Sequence, residues 1–278
     1  PRKLLTPAAP PTILCVLLLA GCGAQPALQP TSSGSESTVL IDGDVLAVED
    51  GDTFLLGTAG DEIKVRLLGV NAPERDECMS EQATAGLSSY LDRGELEVEG
   101  HGTDQFGRTL GYVWAGESFV NLALVEDGLV IANTPGAGEI WGPNLLAAER
   151  SAYREGIGLW DPVGCDADLE ANVELSIDIS GHDPPGPDEE VIALEHVIVA
   201  NDGDDPVDLS GWILRDESSS HRFRFPDGSV VDAGDVLVVT SDHPAWEPGG
   251  SPVWNNDGDM ALLLTPDGAV ATRERYRP

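Results

Sequence analysis

Short stretches in which apolar and polar residues alternate dominate the chain from residue 39 onward. The first three cover Val39–Val48, Thr53–Gly57 and Glu62–Val70, and turn residues separate them at 50–51 and 58–61. Alternation with a period of two places every second side chain on the same face of an extended segment. The pattern therefore predicts a meander of three β-strands.

The spacing of apolar residues then changes to that of an α-helix. Helical spacing covers Ser80–Leu91, with Gly94 just beyond its end, and returns over Phe119–Glu126 and Pro143–Glu155. Proline is favoured at the first helical position, because its missing N–H has no partner there in any case. We therefore expect the last helix to begin near Pro143.

Two further alternating stretches, Glu95–Gly100 and Arg108–Trp114, lie between the first two helices. Five short strands with a helix after the third are the arrangement of an OB-fold barrel. We predict such a barrel, with the additional helices attached to it, over residues 39–161.

Alternation resumes after a linker at residues 162–172. Turn residues recur roughly every 8–12 positions, the spacing of an immunoglobulin-like β-sandwich. The stretches are VELSIDIS from Val173, then EEVIALEHVIVAN, SGWILRD, HRFRFPDGS, DVLVVTS and MALLLTPDGAV. We predict a sandwich over residues 173–278, so the fold class is mainly β with some α.

The N-terminal residues have the features of an export signal. Arg2 and Lys3 precede an apolar run over residues 13–19, and the sequence LAGC then ends at Cys22. The run is far shorter than the ~20 residues of a transmembrane helix. LAGC resembles a lipobox, which implies a signal peptide over residues 1–22 and a lipid anchor at Cys22.

A plain secretory signal is the alternative to this lipoprotein signal. Residues 23–38 are rich in Gly, Ser, Pro and Gln and predict a flexible tether. In either case we expect an exported protein, attached to the outer face of the cell membrane or secreted.

The chain carries a formal net charge of −34, and its lysines are limited to Lys3 and Lys64. The composition is 41% hydrophobic, which is enough for most of the chain to fold. An acidic, lysine-poor surface suits concentrated salt, where charge repulsion is screened within ~3 Å at 1 M. We expect a haloarchaeal-type source; the alternative is a surface that repels polyanions.

Four cysteines are present, and two of them belong to the export signal region. Cys78 and Cys165 remain, an even pair in an oxidising compartment. A disulfide between them is the prediction, and two buried free thiols are the alternative. A zinc site is not expected, since Cys-x-x-Cys and paired histidine spacings are absent from the sequence.

Four polar motifs occur in order along the predicted barrel. They are DGDT at residues 50–53, Arg66 within VRLLGVNAPE, Glu74 directly after that strand, and Arg108 within TDQFGRTLGYVW. This order, with the strands and helices between the motifs, resembles the thermonuclease family, whose best-known member is staphylococcal nuclease. The resemblance covers about residues 39–160. It implies a Ca²⁺-dependent endonuclease that hydrolyses DNA or RNA and leaves 3′-phosphorylated products.

The same resemblance assigns the metal ligands. Asp52 and Asn71 would supply side-chain oxygens to Ca²⁺, and Ala72 would supply its backbone carbonyl. Oxygen donors of these kinds are the ligands that a hard divalent cation prefers.

The resemblance also assigns three catalytic residues. Glu74 would act as general base or orient the attacking water, and Arg66 and Arg108 would stabilise the pentacoordinate phosphorus. Arginine suits this role because its planar fork binds phosphate oxygens in bidentate fashion.

Several positions depart from the family pattern. Position 71 is Asn where the best-known member has Asp, so calcium should bind more weakly unless an acid such as Asp50 contributes. Gln105 and Phe106 replace a Lys-Tyr pair, and the segment LVIANTPGAG lacks the tyrosines that stack on the base. Phe106 or Trp141 would serve as stacking surfaces or as core residues.

Two other interpretations of the barrel stay open. Turn acids and surface arginines that are merely solvated would give the same motifs without a site. A catalytically silent, surface-anchored protein that binds nucleic acid or another partner would keep the fold without the reaction. The retained Asp52, Glu74 and two arginines favour the enzyme.

The second half resembles the lamin-tail domain in the motifs EHVIVAN, DLSGW and WNNDGD. We expect Trp212 and Trp254 to lie in or near its core. Sandwich domains of this kind mainly bind a ligand or display a surface to partners, so the resemblance implies a ligand whose identity is unknown. The histidines of this half stand in unrelated contexts, and we predict no nucleophile paired with a base.

Overall fold

The structure is a computed structural model that describes residues 39–133, 138–161, 165, 173–218, 220–256 and 258–276. The predicted signal peptide, Cys22 and the tether lie outside these residues. Within the described residues, no helix is long and apolar enough to cross a membrane.

The first domain is a β-barrel with helices. Its strands are β1 (Val39–Asp42), β2 (Asp44–Val48), β3 (Thr53–Gly57), β4 (Glu62–Leu67), β5 (Val70–Asn71), β6 (Leu96–Thr103), β7 (Thr109–Ala115), β8 (Ser118–Phe119) and β9 (Ile131–Ala132). Its helices are α1 (Ser80–Leu91), α2 (Val120–Glu126) and α3 (Gly138–Glu155), and a 3₁₀ turn follows at Gly158–Trp160. The predicted strands and helices occur in the predicted order, but the strand predicted over Glu62–Val70 ends at Leu67, and the short strands β5, β8 and β9 were not predicted.

The barrel closes because its first strand is bent in two. β1 pairs with β6 and β2 pairs with β3, so consecutive strands lie at opposite ends of the order β1-β6-β7-β4-β3-β2. Gly43 stands at the bend, where a Cβ atom would come within 2.4 Å of the carbonyl oxygen of Gly57. The prediction of one continuous first strand is therefore wrong at Gly43, and the bend gives the OB-fold barrel.

Helix α3 begins earlier than predicted. The sequence favoured a start near Pro143, whereas the helix starts at Gly138 and contains Pro143. The added turn carries Trp141, which packs against Phe119 with ring centroids 4.5 Å apart and against Trp114 at 6.1 Å. Burial of this aromatic cluster outweighs the hydrogen bond that proline cannot donate.

The second domain is a β-sandwich. Its strands are β10 (Leu175–Asp178), β11 (His196–Asn201), β12 (Val207–Asp208), β13 (Ile213–Arg215), β14 (Arg222–Arg224), β15 (Val230–Val231), β16 (Val236–Thr240), β17 (Trp246–Glu247), β18 (Asp259–Leu264) and β19 (Val270–Tyr276), with a short helix α4 (Asp188–Val191). One sheet has the order β10-β11-β16 and the other β17-β14-β13-β18-β19, while β12 and β15 form a separate pair. Trp212 and Trp254 are buried in the core between them, as expected.

The strand predicted for EEVIALEHVIVAN is shorter in the structure than the alternation pattern indicated. EEVIALEHVIVAN forms a helical turn before β11 begins at His196. Pro187 precedes the turn with φ −66° and ψ 132°, an extended conformation from which a helix can start. Glu195 is the last residue before β11. Its buried side chain accepts a hydrogen bond from the backbone N–H of Val253, which fixes this end of the segment.

Strand β18 is buried on both of its faces. Ala261 and Leu263 belong to the sandwich core, whereas Met260, Leu262 and Leu264 join a separate apolar cluster. That cluster also contains Ile131, Ala152, Leu159 and Trp160 of the barrel domain. The two domains therefore share an apolar interface.

Buried ion pairs surround this interface. Glu77 of the barrel domain binds Arg215 at 3.0 Å and Arg222 at 2.8 Å. Glu149, which is fully buried, binds Arg273 at 2.8 Å and Arg275 at 3.0 Å. Each carboxylate thus receives two guanidinium groups, which offsets the cost of removing its charge from water.

The predicted cysteine pair is joined. Cys78 and Cys165 form a disulfide with a Cα–Cα distance of 5.8 Å, closing a separation of 87 residues. The backbone N–H of Cys78 also donates to the carbonyl of Gly268, in the sandwich, at 3.2 Å. The segment beside Cys78 is therefore tied both to the linker and to the sandwich.

Candidate active site

One cavity of about 380 Å³ is lined by the polar residues that the sequence analysis identified as candidates. They come from the β2–β3 turn, from β4, from the segment at and after β5, and from the residue before β7. The lining consists of Asp50, Asp52, Arg66, Asn71, Ala72, Glu74 and Arg108, together with Pro73, Arg75, Asp76 and Ser218.

Strand register explains why distant motifs meet here. Thr53 of β3 lies opposite Arg66 of β4, so the turn that carries Asp52 is beside Arg66. Strand β4 pairs in parallel with β7, with Val65 opposite Thr109, which brings Arg108 to the same end of the barrel. The cavity thus follows from one hairpin and one parallel pairing.

Asp52 is buried and holds the floor of the cavity. Its Oδ2 accepts from the backbone N–H of Ala72 at 2.7 Å and lies 3.1 Å from Nη2 of Arg66. Its Oδ1 accepts from the hydroxyl of Thr53 at 2.9 Å. These contacts fix the carboxylate in one orientation with its charge partly balanced.

Asp50 is a second carboxylate at this site. Its Oδ1 accepts from the backbone N–H of Asp52 at 3.1 Å. Burial raises the pKa of Asp50, and the negative charge of Asp52 raises it further. Two carboxylates that repel each other in this way gain from a divalent cation between or beside them.

The donor set fits a hard cation. Carboxylate oxygens of Asp50 and Asp52, the amide oxygen of Asn71 and the carbonyl of Ala72 belong to residues of one wall. Within the described part of the chain, no group of three or more His, Cys, Asp or Glu side chains meets the geometry of a metal cluster. A site here would therefore depend on amide and backbone oxygens as well, as calcium sites commonly do.

Arg66 is engaged by the protein on its inner side. Its Nη1 donates to the carbonyls of Leu67 at 2.6 Å and Val70 at 2.8 Å, and its Nη2 donates to Oδ1 of Asn71. The guanidinium therefore holds the turn between β4 and β5 and orients Asn71. A phosphate at this position would compete with the contact to Asn71.

Arg108 is held differently. Its Nε donates to Oδ2 of Asp104 at 2.7 Å, and its backbone N–H donates to Oδ1 at 2.9 Å. Among the described residues, its terminal nitrogens have no hydrogen-bond partner, so they remain available at the cavity. Phe106 is 74% exposed and its ring centroid lies 5.5 Å from the Arg108 guanidinium carbon. Phe106 is therefore a surface residue, whereas Trp141 is part of the aromatic cluster described above.

Glu74 is exposed and lines the cavity. Its backbone N–H donates to Oε2 of Glu77 at 3.2 Å, and Glu77 is the residue that pairs with two sandwich arginines. The position of Glu74 is thus connected to the domain interface.

The sandwich domain reaches the cavity directly, which the sequence did not predict. Ser218 lines the cavity, and Nδ2 of Asn71 donates to the backbone carbonyl of Glu217 at 2.7 Å. Asn71 is 6% exposed, so this hydrogen bond is shielded from water. An aspartate at position 71 could not donate it, which gives a physical reason for the amide at this position.

A second polar arrangement was also missed. His221 lies between Asp216 and Ser251, with Nδ1 3.1 Å from Oδ2 of Asp216 and Nε2 3.2 Å from the serine hydroxyl. The hydrogen bond with Asp216 raises the pKa of His221. We interpret the arrangement as a structural bridge, because it joins the loop at Asp216 to the loop at Ser251.

The fold and cavity define a class of protein: an OB-fold barrel with an arginine-flanked, oxygen-rich cavity, fused to an immunoglobulin-like sandwich. Comparison with known families agrees with this description. Residues 64–162 match the family model "Staphylococcal nuclease homologue", and residues 170–277 match "Lamin Tail Domain".

Several curated proteins are similar to the first domain. "Protein ParB" of Escherichia coli is 32% identical over 130 residues, which cover 43% of this chain and 73% of that protein. "Micrococcal nuclease" of Shigella flexneri is 30% identical over 130 residues, covering 43% and 74%. "Thermonuclease" of Staphylococcus intermedius is 29% identical over 125 residues, covering 42% and 74%. The chain belongs to the staphylococcal nuclease homologue family, with a lamin-tail domain following the family domain.

Proposed function

We propose that this protein is a calcium-dependent nuclease that hydrolyses phosphodiester bonds of DNA or RNA and leaves 3′-phosphorylated products. The observation that carries the proposal is the cavity in which oxygen donors around Asp52 face Arg66 and Arg108. Relatives named "Thermonuclease" and "Micrococcal nuclease" support the same activity.

In this proposal Asp52, Asn71 and the carbonyl of Ala72 would hold the cation, with Asp50 as an additional carboxylate. When bound, a hard divalent cation neutralises non-bridging phosphate oxygens and lowers the pKa of a coordinated water. The amide of Asn71 is oriented by Arg66 and Glu217, and its Oδ1 would have to bind the cation beside the Arg66 guanidinium.

The remaining residues act on the phosphodiester. Glu74 orients a water and accepts its proton while the water oxygen forms a bond to phosphorus. Arg108 would bind the equatorial oxygens, and Arg66, whose Nη2 contacts Asp52 and Asn71, would bind them from beside the metal ligands. The bond from phosphorus to the 5′ oxygen breaks, and this oxygen takes a proton from solvent water, which leaves a 5′-hydroxyl and a 3′-phosphate.

The proposed site of action is outside the cell. The signal-like residues 1–22 would export the chain, and a lipid on Cys22 would hold it at the outer face of the membrane. At a net charge of −34, diffuse attraction to a polyanion is unfavourable. Short-range contacts with the cation and the arginines therefore bind the substrate, and the acidic surface maintains solubility in salt.

Digestion of plasmid DNA and of RNA, with calcium or with chelator, tests this function. Glu74→Ala and Arg108→Ala should each lower the rate by about 10²–10³. Glu117→Ala is the matched control, because Glu117 is an exposed acid of the same domain outside the cavity. If Glu74→Ala digests as fast as the control, the role of Glu74 is wrong. If the unaltered protein binds DNA with calcium but never cleaves it, a catalytically silent binding protein is the correct description.

A further inference from the structure

A second cavity, of about 600 Å³, adjoins the first. It is lined by two loops of the sandwich, residues 216–218 with 220–221 and residues 252–256, and by Asn133 of the barrel domain. Its volume lies within the ~300–1,000 Å³ of pockets that bind small organic groups.

Two contacts connect this cavity with the candidate active site. Ser218 lines both cavities. Glu217 lines the second cavity, and its carbonyl accepts the hydrogen bond from Asn71, which lines the first. A polymer bound at the first cavity would therefore meet the second without leaving the surface.

Buried carboxylates hold both sandwich loops in place. Asp259, which is fully buried, accepts from the backbone N–H of Glu217 at 3.2 Å and of Asn255 at 3.1 Å. Glu195, which is 2% exposed, accepts from the backbone N–H of Val253 at 2.8 Å and of Trp254 at 3.3 Å. The walls are therefore organised before any ligand arrives, which lowers the entropic cost of binding.

The charges in the wall disfavour a phosphate in this cavity. None of the described residues that line it is Lys or Arg, and its two carboxylates already have partners: Asp216 binds His221, and Glu217 binds Arg275. A phosphate would add uncompensated negative charge, whereas an uncharged group would not.

The polar groups of the wall suit a heterocycle. Asn255 and Asn256, both exposed, bring amides to the wall, whereas the indole of Trp254 is 3% exposed and belongs to the sandwich core. Amide groups recognise the edges of unstacked bases in single-stranded nucleic acid.

We propose that this cavity binds a nucleoside, base and sugar, of a single-stranded substrate next to the phosphodiester held by the first cavity. The lamin-tail domain is then part of the substrate-binding surface of the enzyme. This inference rests on the proposed function, since it places the scissile phosphate between Arg66 and Arg108.

The test blocks the cavity and measures binding without cleavage. Ser220 is exposed and lines only the second cavity, so Ser220→Trp fills it from a position outside the first, at the cost of the hydroxyl contact with Ser218. Asn256→Trp fills it from the other loop and serves as an independent blocking variant. Ser180→Trp is the matched control, because Ser180 is an exposed serine of the same domain that lines neither cavity. All are combined with Glu74→Ala, which removes cleavage in the full chain.

Two fluorescent ligands separate base binding from backbone binding. One is a short single-stranded DNA, and the other is an abasic strand of equal length that keeps every phosphate. With calcium, the control should bind the DNA about tenfold or more tightly than the abasic strand. Ser220→Trp and Asn256→Trp should abolish most of this difference and change binding of the abasic strand by less than about twofold.

The outcome is independent of whether the protein cleaves. If both blocking variants keep the same preference for DNA over the abasic strand as the Ser180→Trp control, the nucleoside subsite is wrong. If they lose the preference while the unaltered protein fails to digest DNA, the subsite stands and the nuclease activity is wrong.

Discussion

The replacement Asn71→Asp tests how the sandwich supports the candidate active site. Asn71 donates through Nδ2 to the carbonyl of Glu217 at 2.7 Å in a place shielded from water. A carboxylate would put two oxygen atoms in contact and leave the Glu217 carbonyl without this donor. A buried polar group left without its partner costs ~1–3 kcal/mol, and more when charge is involved.

The effect of Asn71→Asp on the free energy of unfolding can be estimated for the whole chain. The contact of Arg66 with the side-chain oxygen at position 71 would offset part of the cost. A net loss of ~2 kcal/mol in the free energy of unfolding lowers the Tm by about 4–8 °C for a chain of this size. Calcium should restore part of the stability that Asn71→Asp loses. A carboxylate binds the cation more strongly than an amide does, and ligand binding stabilises the native state.

Thermal unfolding with chelator and with calcium measures both effects. Asn71→Asp should melt below the unaltered protein in chelator and show a larger rise in Tm on addition of calcium. Asn71→Ala is the control, since it removes the donor without adding a charge and should show the loss without the extra calcium effect. An Asn71→Asp variant as stable as the unaltered protein in chelator would refute the proposed importance of the Glu217 contact.

Three further predictions concern stability. Glu77→Gln should lower the free energy of unfolding by ~3–5 kcal/mol, because it leaves the buried Arg215 without its carboxylate and takes one of two carboxylates from the partly exposed Arg222. Denaturant titration measures this, and Glu117→Gln, an exposed replacement, should change it by less than ~0.5 kcal/mol. The pKa of Asp259 is raised to about 7 by burial and then by neighbouring carboxylates. The native state therefore holds a proton that the unfolded chain releases near its ordinary value, so stability should fall as pH rises from ~4 to ~7, and Asp259→Asn should flatten that slope in Tm. Reduction of the Cys78–Cys165 disulfide should lower the free energy of unfolding by ~4 kcal/mol in the chain-entropy model, and an unchanged denaturation midpoint in reductant would contradict it.

Local patterns predicted the barrel because its strands and turns are encoded by neighbouring residues. Alternation identified β3 and β4, and their hairpin register alone places Asp52 near Arg66. The helix over Ser80–Leu91 was predicted with its observed bounds. Errors arose where packing at a distance decided the structure, as for the start of α3, where burial of Trp141 extends the helix beyond Pro143.

The contribution of the sandwich to the site could not be predicted in the same way. The hydrogen bond from Asn71 to Glu217 joins residues 146 positions apart, and no periodicity relates them. A weaker signal was present in β18, where MALLL lacks the alternation of a strand with one face in water. An unbroken apolar run of this kind indicates that the outer face is covered, although not by what.

The double burial of β18 has a consequence for dissecting this protein. Cutting the chain within the linker would expose Trp160 and Ile131 on one fragment and Met260, Leu262 and Leu264 on the other. Each fragment would expose an apolar surface to water and would therefore be prone to aggregate. We therefore expect neither domain to remain soluble alone, and exchanging one domain for a homologous domain would require redesign of the apolar interface.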